Sequence, residues 1–220
     1  ASVAASSVAV PAPAGVSGTG PHLSGSGGNV GTAGAAASGT VSNAMAGAIG
    51  AAGAGGAPVS DPSEEIFDAA RFPRFDFDFP PASVAALQAV TGSKDPAQDT
   101  YVTSTFTYDK GGRNEVVANV GVRLKGEGSF QKFDQKPALK VKFDAFVMNQ
   151  SFRNLARLTL NNNNDDQAFV SERLAYDVYR AAGVPAPRCN SASVYVNGTF
   201  YGVYTNVESE DKRFLSRWFE

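Results

Sequence analysis

The stretch Glu115–Phe143, EVVANVGVRLKGEGSFQKFDQKPALKVKF, decides the fold. Its first ten residues alternate, with Val116, Ala118, Val120 and Val122 on one side, as expected of a half-buried strand. Lys125-Gly126-Glu127-Gly128-Ser129 interrupts that pattern with a glycine-containing loop, and a second alternating run follows over Ala138–Phe143. There Leu139, Val141 and Phe143 share one face, and Ala138, Lys140 and Lys142 the other. Two strands joined through a glycine loop, the second carrying lysines, is an arrangement suited to a polyanionic ligand. Loop N–H groups and a lysine together offset phosphate charge.

Working outward, Tyr101–Tyr108 is rich in Thr, Tyr, Val and Phe and reads as a strand paired to the first through Gly111-Gly112. Upstream, Phe72–Phe79 alternates aromatics and suits an extended segment ended by Pro80-Pro81, after which Ser83 caps a short helix over Val84–Val90. Downstream, Leu155–Leu160 reads as another strand, and Asp166 as the N-cap of a helix over Gln167–Ala182 stopped by Gly183 and Pro185. The apolar face of that helix gathers Phe169, Val170, Leu174, Tyr176, Val178 and Tyr179. Ser193–Val196, Asn197-Gly198 and Thr199–Val207 form a hairpin with a type I′ turn, and the chain turns helical from Ser209.

Charge divides the 220 residues. All 19 basic and 21 acidic residues lie at or beyond Asp61, and the first 60 are almost entirely small or apolar. Residues 1–60 therefore read as a low-complexity disordered tether, 61–97 as a lead-in segment with a short helix, and 98–220 as the folded domain. The formal net charge of −2 and the lack of a basic run argue against nucleic acid as a partner. No apolar stretch is long enough for a membrane span. A single cysteine, Cys189, and a single histidine, His22 in the tether, exclude an internal disulfide and leave no histidine triad or zinc cluster in the folded part.

Several residues admit two readings. Lys125–Ser129 is a phosphate loop or a plain turn. Ala138 and Lys140 leave room for a purine and reach phosphate, or Lys136, Lys140 and Lys142 are the solvated face of an edge strand. Glu172 fixes a lysine, as a kinase helix glutamate does, or simply favours a helix N-terminus. The Asn161–Asp166 run reads as turn and cap and lacks the spacing of a calcium loop.

Taken together, the blocks VRLKGEGSF (122–130), KPALKVKF (136–143), LTLNN (158–162), ERLAY (172–176), AAGVPAP (181–187), VYVNG (194–198) and FYGVY (200–204) resemble the CotH kinase family in order and spacing. Glu208 and KRFL (212–215) complete the series. The resemblance implies an α+β fold with a kinase small-lobe-like antiparallel sheet and one main helix. It implies an ATP-dependent serine protein kinase using Mg2+ or another divalent metal, acting on a coat or extracellular protein, and secreted or held at a cell surface or spore coat. A non-catalytic coat or adhesion module on the same fold is the alternative. Within the resemblance Gly126, Gly128 and Ser129 approach the phosphates. Lys140, or else Lys136 or Lys142, holds them and pairs with Glu172, and Val207-Glu208 is the hinge beside the adenine. The family's catalytic and metal-binding aspartates fall in a second lobe beyond residue 220. This portion of chain is therefore expected to need that lobe as its partner and to be inactive alone.

Overall fold

The computed structural model describes residues 61–219; the segment read as a tether lies outside them. Helix α1 (Glu64–Phe67) leads into β1 (Arg74–Asp78), α2 (Pro81–Ala89) and a 3-10 turn (Pro96–Asp99). Strands β2 (Val102–Asp109), β3 (Glu115–Lys125), β4 (Ala138–Lys142) and β5 (Arg157–Asn161) follow. Helix α3 (Ser171–Ala181), strands β6 (Cys189–Val196) and β7 (Thr199–Glu208), and α4 (Lys212–Phe219) complete the described chain.

The seven strands close into a barrel in the order β1-β2-β3-β4-β5-β7-β6. This corrects the expected kinase small-lobe-like antiparallel sheet with one main helix, since the sheet closes on itself and one of its pairings is parallel. Closure comes from β1, which pairs antiparallel with β2 and also parallel with β6, Phe75 opposite Val194 and Phe77 opposite Val196. Nothing local announces a contact across more than a hundred residues. Phe72–Phe79 shows its alternation but not its second neighbour. With both edges of β1 paired, every strand among the described residues has a neighbour on each side.

The interior explains why the barrel holds. Phe75, Phe77, Phe106, Tyr108, Phe143 and Phe152 are buried at its centre, and the Phe106 and Phe152 rings lie 4.9 Å apart in an edge-on contact. Aromatic side chains bury large apolar areas and favour such tilted geometry. Leu139, Val141, Leu158 and Leu160 line the same interior, as their alternation predicts.

Two element-level readings change. In β3 two residues, Ala118 and Asn119, oppose the single Thr105 between the Ser104–Val120 and Phe106–Val117 pairs, with Asn119 at φ 55°. This bulge reverses the phase, so Val117 packs on the core and Val116 is 61% exposed. In α3 the helix starts at Ser171, later than Gln167, and no residue in it is buried. Glu172, Arg173, Tyr176 and Arg180 are its partly covered positions, while Leu174 and Val178 are more than half exposed. Asp166 still supports its start, since its carboxylate accepts from Ser171 N (2.7 Å) and Oγ (2.8 Å). Ser83 lies inside α2, where its hydroxyl donates to Thr103 O at 2.8 Å. No helix among the described residues is long and apolar enough to cross a membrane.

Candidate functional site

Side chains pointing out of a β-barrel form rows across neighbouring strands, because directly paired residues face the same way. One row runs Arg123, Lys140, Thr159 and Val207 across β3, β4, β5 and β7. The next row begins with Lys125 opposite Ala138 and continues with Asn161 opposite Thr205. Helix α3 and the segment after β7 rise beside these rows and enclose a cleft of about 480 Å³. Its lining includes Lys125, Lys140, Thr159, Asn161, Glu172 and Val207. A second cavity of about 450 Å³ adjoins it, lined by Arg123, Gly126, Glu127 and Ser129 and again by Lys125 and Lys140. Both lysines therefore line both cavities.

The small Ala138 side chain lets Lys125 reach along its row. Its Nζ donates to Asn161 Oδ1 at 2.6 Å, and Asn161 Nδ2 donates to Glu172 Oε1 and Oε2 at 2.8 and 2.9 Å. Burial lowers the Lys125 pKa. Glu172 opposes that shift, while Lys140 and Arg123 add to it. The same burial, followed by Glu172, pushes the Tyr176 hydroxyl up to about 12, so it is a neutral donor at the cleft wall.

The glycine loop is held from outside. Gln98 Nε2 donates to Gly126 O at 2.9 Å, and Asn162 Nδ2 to Ser129 O at 3.0 Å. Gly126 adopts φ 113°, where a Cβ would be strained and would meet Phe130 N at 3.2 Å. With its carbonyls tied back, the loop leaves the N–H groups of Glu127, Gly128 and Ser129 without a hydrogen-bond acceptor among the described residues. Such donors beside two lysines make an anion-binding concavity.

The sequence candidates fall into three groups. Lys140, Glu172, Gly126, Ser129 and Val207 line the joined cavities. Lys140 and Glu172 share the cleft without an ion pair, since the Glu172 carboxylate is engaged by Asn161. Glu208 also lines the cleft, but its side chain is committed to Arg188 (2.8 Å) and Arg217, and its N–H to Arg188 O. Gly128, Lys136 and Lys142 line neither cavity. Lys142 lies 3.9 Å from Asp144. The Lys136 amine sits 4.7 Å from the Phe169 ring centroid and 5.2 Å from that of Tyr204, over the missing side chain of Gly202. Burial lowers it to about 8. Cys189 is buried, its thiol pushed up to about 12, and is no nucleophile.

The sequence places Lys125 only within the glycine loop and Asn161 only within a turn, and does not bring the two together in the cleft. A signal existed, because Arg123 and Lys125 alternate with Val122 and Leu124, and Thr159 and Asn161 with Leu158 and Leu160. Continuing each alternation to the strand's last residue places both polar side chains outside the barrel. Among the described residues no group of three or more His, Cys, Asp and Glu side chains is disposed to hold a metal ion. The divalent ion implied by the resemblance finds no ready-made cage among these residues.

Residues 122–220 match the family model described as CotH kinase protein. No curated protein matches the chain. The matched region includes the glycine loop, both cleft lysines, Asn161, Glu172 and the end of β7.

Proposed function

We propose that the joined cavities bind the triphosphate of ATP and that the protein serves an ATP-dependent protein kinase reaction, a reading supported by the match of residues 122–220 to the family model described as CotH kinase protein. The observation that carries this reading is the position of Lys125 and Lys140, which line both cavities beside a loop with unengaged N–H donors. A nucleoside in the larger cavity and its phosphates against the loop would use both spaces at once. Bound ATP would supply the phosphoryl group and its leaving group. The chain's own residues would hold the phosphates, neutralise their charge and exclude water from one side. The acceptor is a hydroxyl on a coat or extracellular protein, which places the work outside the cell or in a coat.

Calorimetric titration with ATP and magnesium tests the binding. A lysine–phosphate hydrogen bond contributes about 1.5–3 kcal/mol, so Lys125→Met and Lys140→Met should each weaken binding about ten- to a hundredfold. Unchanged affinity in both, with folding intact by circular dichroism, overturns the site. Transfer of labelled phosphate from ATP to an acceptor protein separates the kinase from a non-catalytic coat or adhesion module that only holds the nucleotide.

A further inference from the structure

We infer that Asn161 is a positioning residue, a neutral bridge that orients Lys125 and Glu172 together and leaves the lysine's charge free for an anion. The inference rests on the reading of the cleft as a triphosphate site, but its geometry is independent of that reading. Lys125 has only donors at its tip and Glu172 only acceptors when ionised. Asn161 lies between them with its oxygen 2.6 Å from the lysine and its nitrogen 2.8 and 2.9 Å from the two carboxylate oxygens. Only this orientation of the amide satisfies both neighbours. The reversed amide would set NH2 against ammonium and a carbonyl against carboxylate.

The chemistry of the bridge differs from that of a direct ion pair. In a direct pair the carboxylate competes with phosphate for the same ammonium hydrogens. Here the lysine gives one hydrogen to a neutral amide, and its charge is balanced only at one remove. Glu172 stands near the N-terminus of α3, so the bridge also ties the start of that helix to the end of β5. Thr159, two residues earlier on β5, points into the same cleft but is too short to span this gap. Asn161 therefore joins the barrel wall to the helix that closes the cleft.

The test compares Asn161→Asp with Asn161→Ala. Aspartate is nearly isosteric but places a carboxylate on Lys125, competing for its hydrogens and repelling both Glu172 and phosphate. Alanine removes the bridge without adding charge. Affinity for ATP and for inorganic triphosphate should fall in the order natural chain, alanine variant, aspartate variant. The aspartate variant should lie at least about tenfold below the natural chain, and adenosine binding should change little. A role in packing alone predicts the reverse order for the two variants, and that result overturns the inference. Equal affinity in both, with Lys125→Met still weakened, overturns the bridge and leaves the nucleotide site standing. In the ligand-free protein, the Asn161 side-chain NH2 resonances should shift in Glu172→Gln and in Lys125→Met. If the natural chain binds no triphosphate, the functional reading fails, and this shift alone decides the bridge. Its absence sinks it.

Discussion

Glu208 has a side-chain exposure of 2%, yet it is ionised between two arginines. Burial alone would raise its pKa, but hydrogen bonds from Arg217 and Arg188 outweigh burial and hold it below its ordinary 4.5. Arg188 continues the network to Asp61 at 3.1 Å and Ser63 at 2.8 Å, so this carboxylate links α4, the start of β6 and α1. Removing one member of a buried pair strands the others. Glu208→Ala should cost about 2–4 kcal/mol, discounted because Arg217 is one-third exposed. A depressed carboxylate contributes stability above its unfolded value and loses it on acidification. The gap between natural and variant chains in denaturant melts should therefore narrow as pH falls below 4.5. Lys136 is shifted in the same direction, but there the shift is destabilising, because burial disfavours its charged form. Its folded value of about 8 lies below the ordinary 10.5, so the unfolded chain binds the extra proton between those values. Stability from this group rises with pH across that window, and a Lys136→Met gain seen at pH 7 should shrink by pH 10.

The elements show what local pattern can and cannot reveal. The strands flanking the glycine loop were legible because Leu139, Val141, Leu158 and Leu160 alternate cleanly, and the hairpin because Asn197-Gly198 suits a tight turn. The phase of β3 was not, since Asn119 resembles any other strand residue until a bulge places it in the left-handed region. The burying face of α3 was hidden for a related reason. An apolar stripe normally turns to the core, but here the barrel wall beside the helix is polar, so Glu172 and Tyr176 face it and Leu174 and Val178 do not. Part of the candidate site was readable from sequence, namely Lys140, Glu172 and the loop. Lys125 and Asn161 needed strand register, because their meeting depends on the small Ala138 between them. One packing detail is testable here. A Cβ at Gly121 would lie 2.4 Å from Ala145 Cβ and 3.0 Å from the Tyr101 ring. Gly121→Ala should destabilise by about 1–3 kcal/mol through overpacking, read from thermal melts. Because Tyr101 lines the cleft, ATP affinity should fall with it.

For the molecule as a whole, barrel closure and cleft are one construction. The parallel pairing of β1 with β6 completes the wall whose outer rows carry Arg123, Lys140, Thr159 and Val207. A strand pairing across such sequence distance has no local signature, which is why an antiparallel sheet was the natural expectation. In the proposed function the outer face of β3–β5, with the glycine loop and α3, is a triphosphate site. Backbone amide mapping by nuclear magnetic resonance during titration with ATP and magnesium tests it most directly. Saturable shifts are expected to centre on Lys125–Ser129, Lys140, Thr159–Asn161 and Glu172, to be reproduced over the loop by inorganic triphosphate, and to diminish in Lys125→Met. Shifts confined to other surfaces, such as the Asp144–Gln150 turn, or no saturable shift at all, would contradict it.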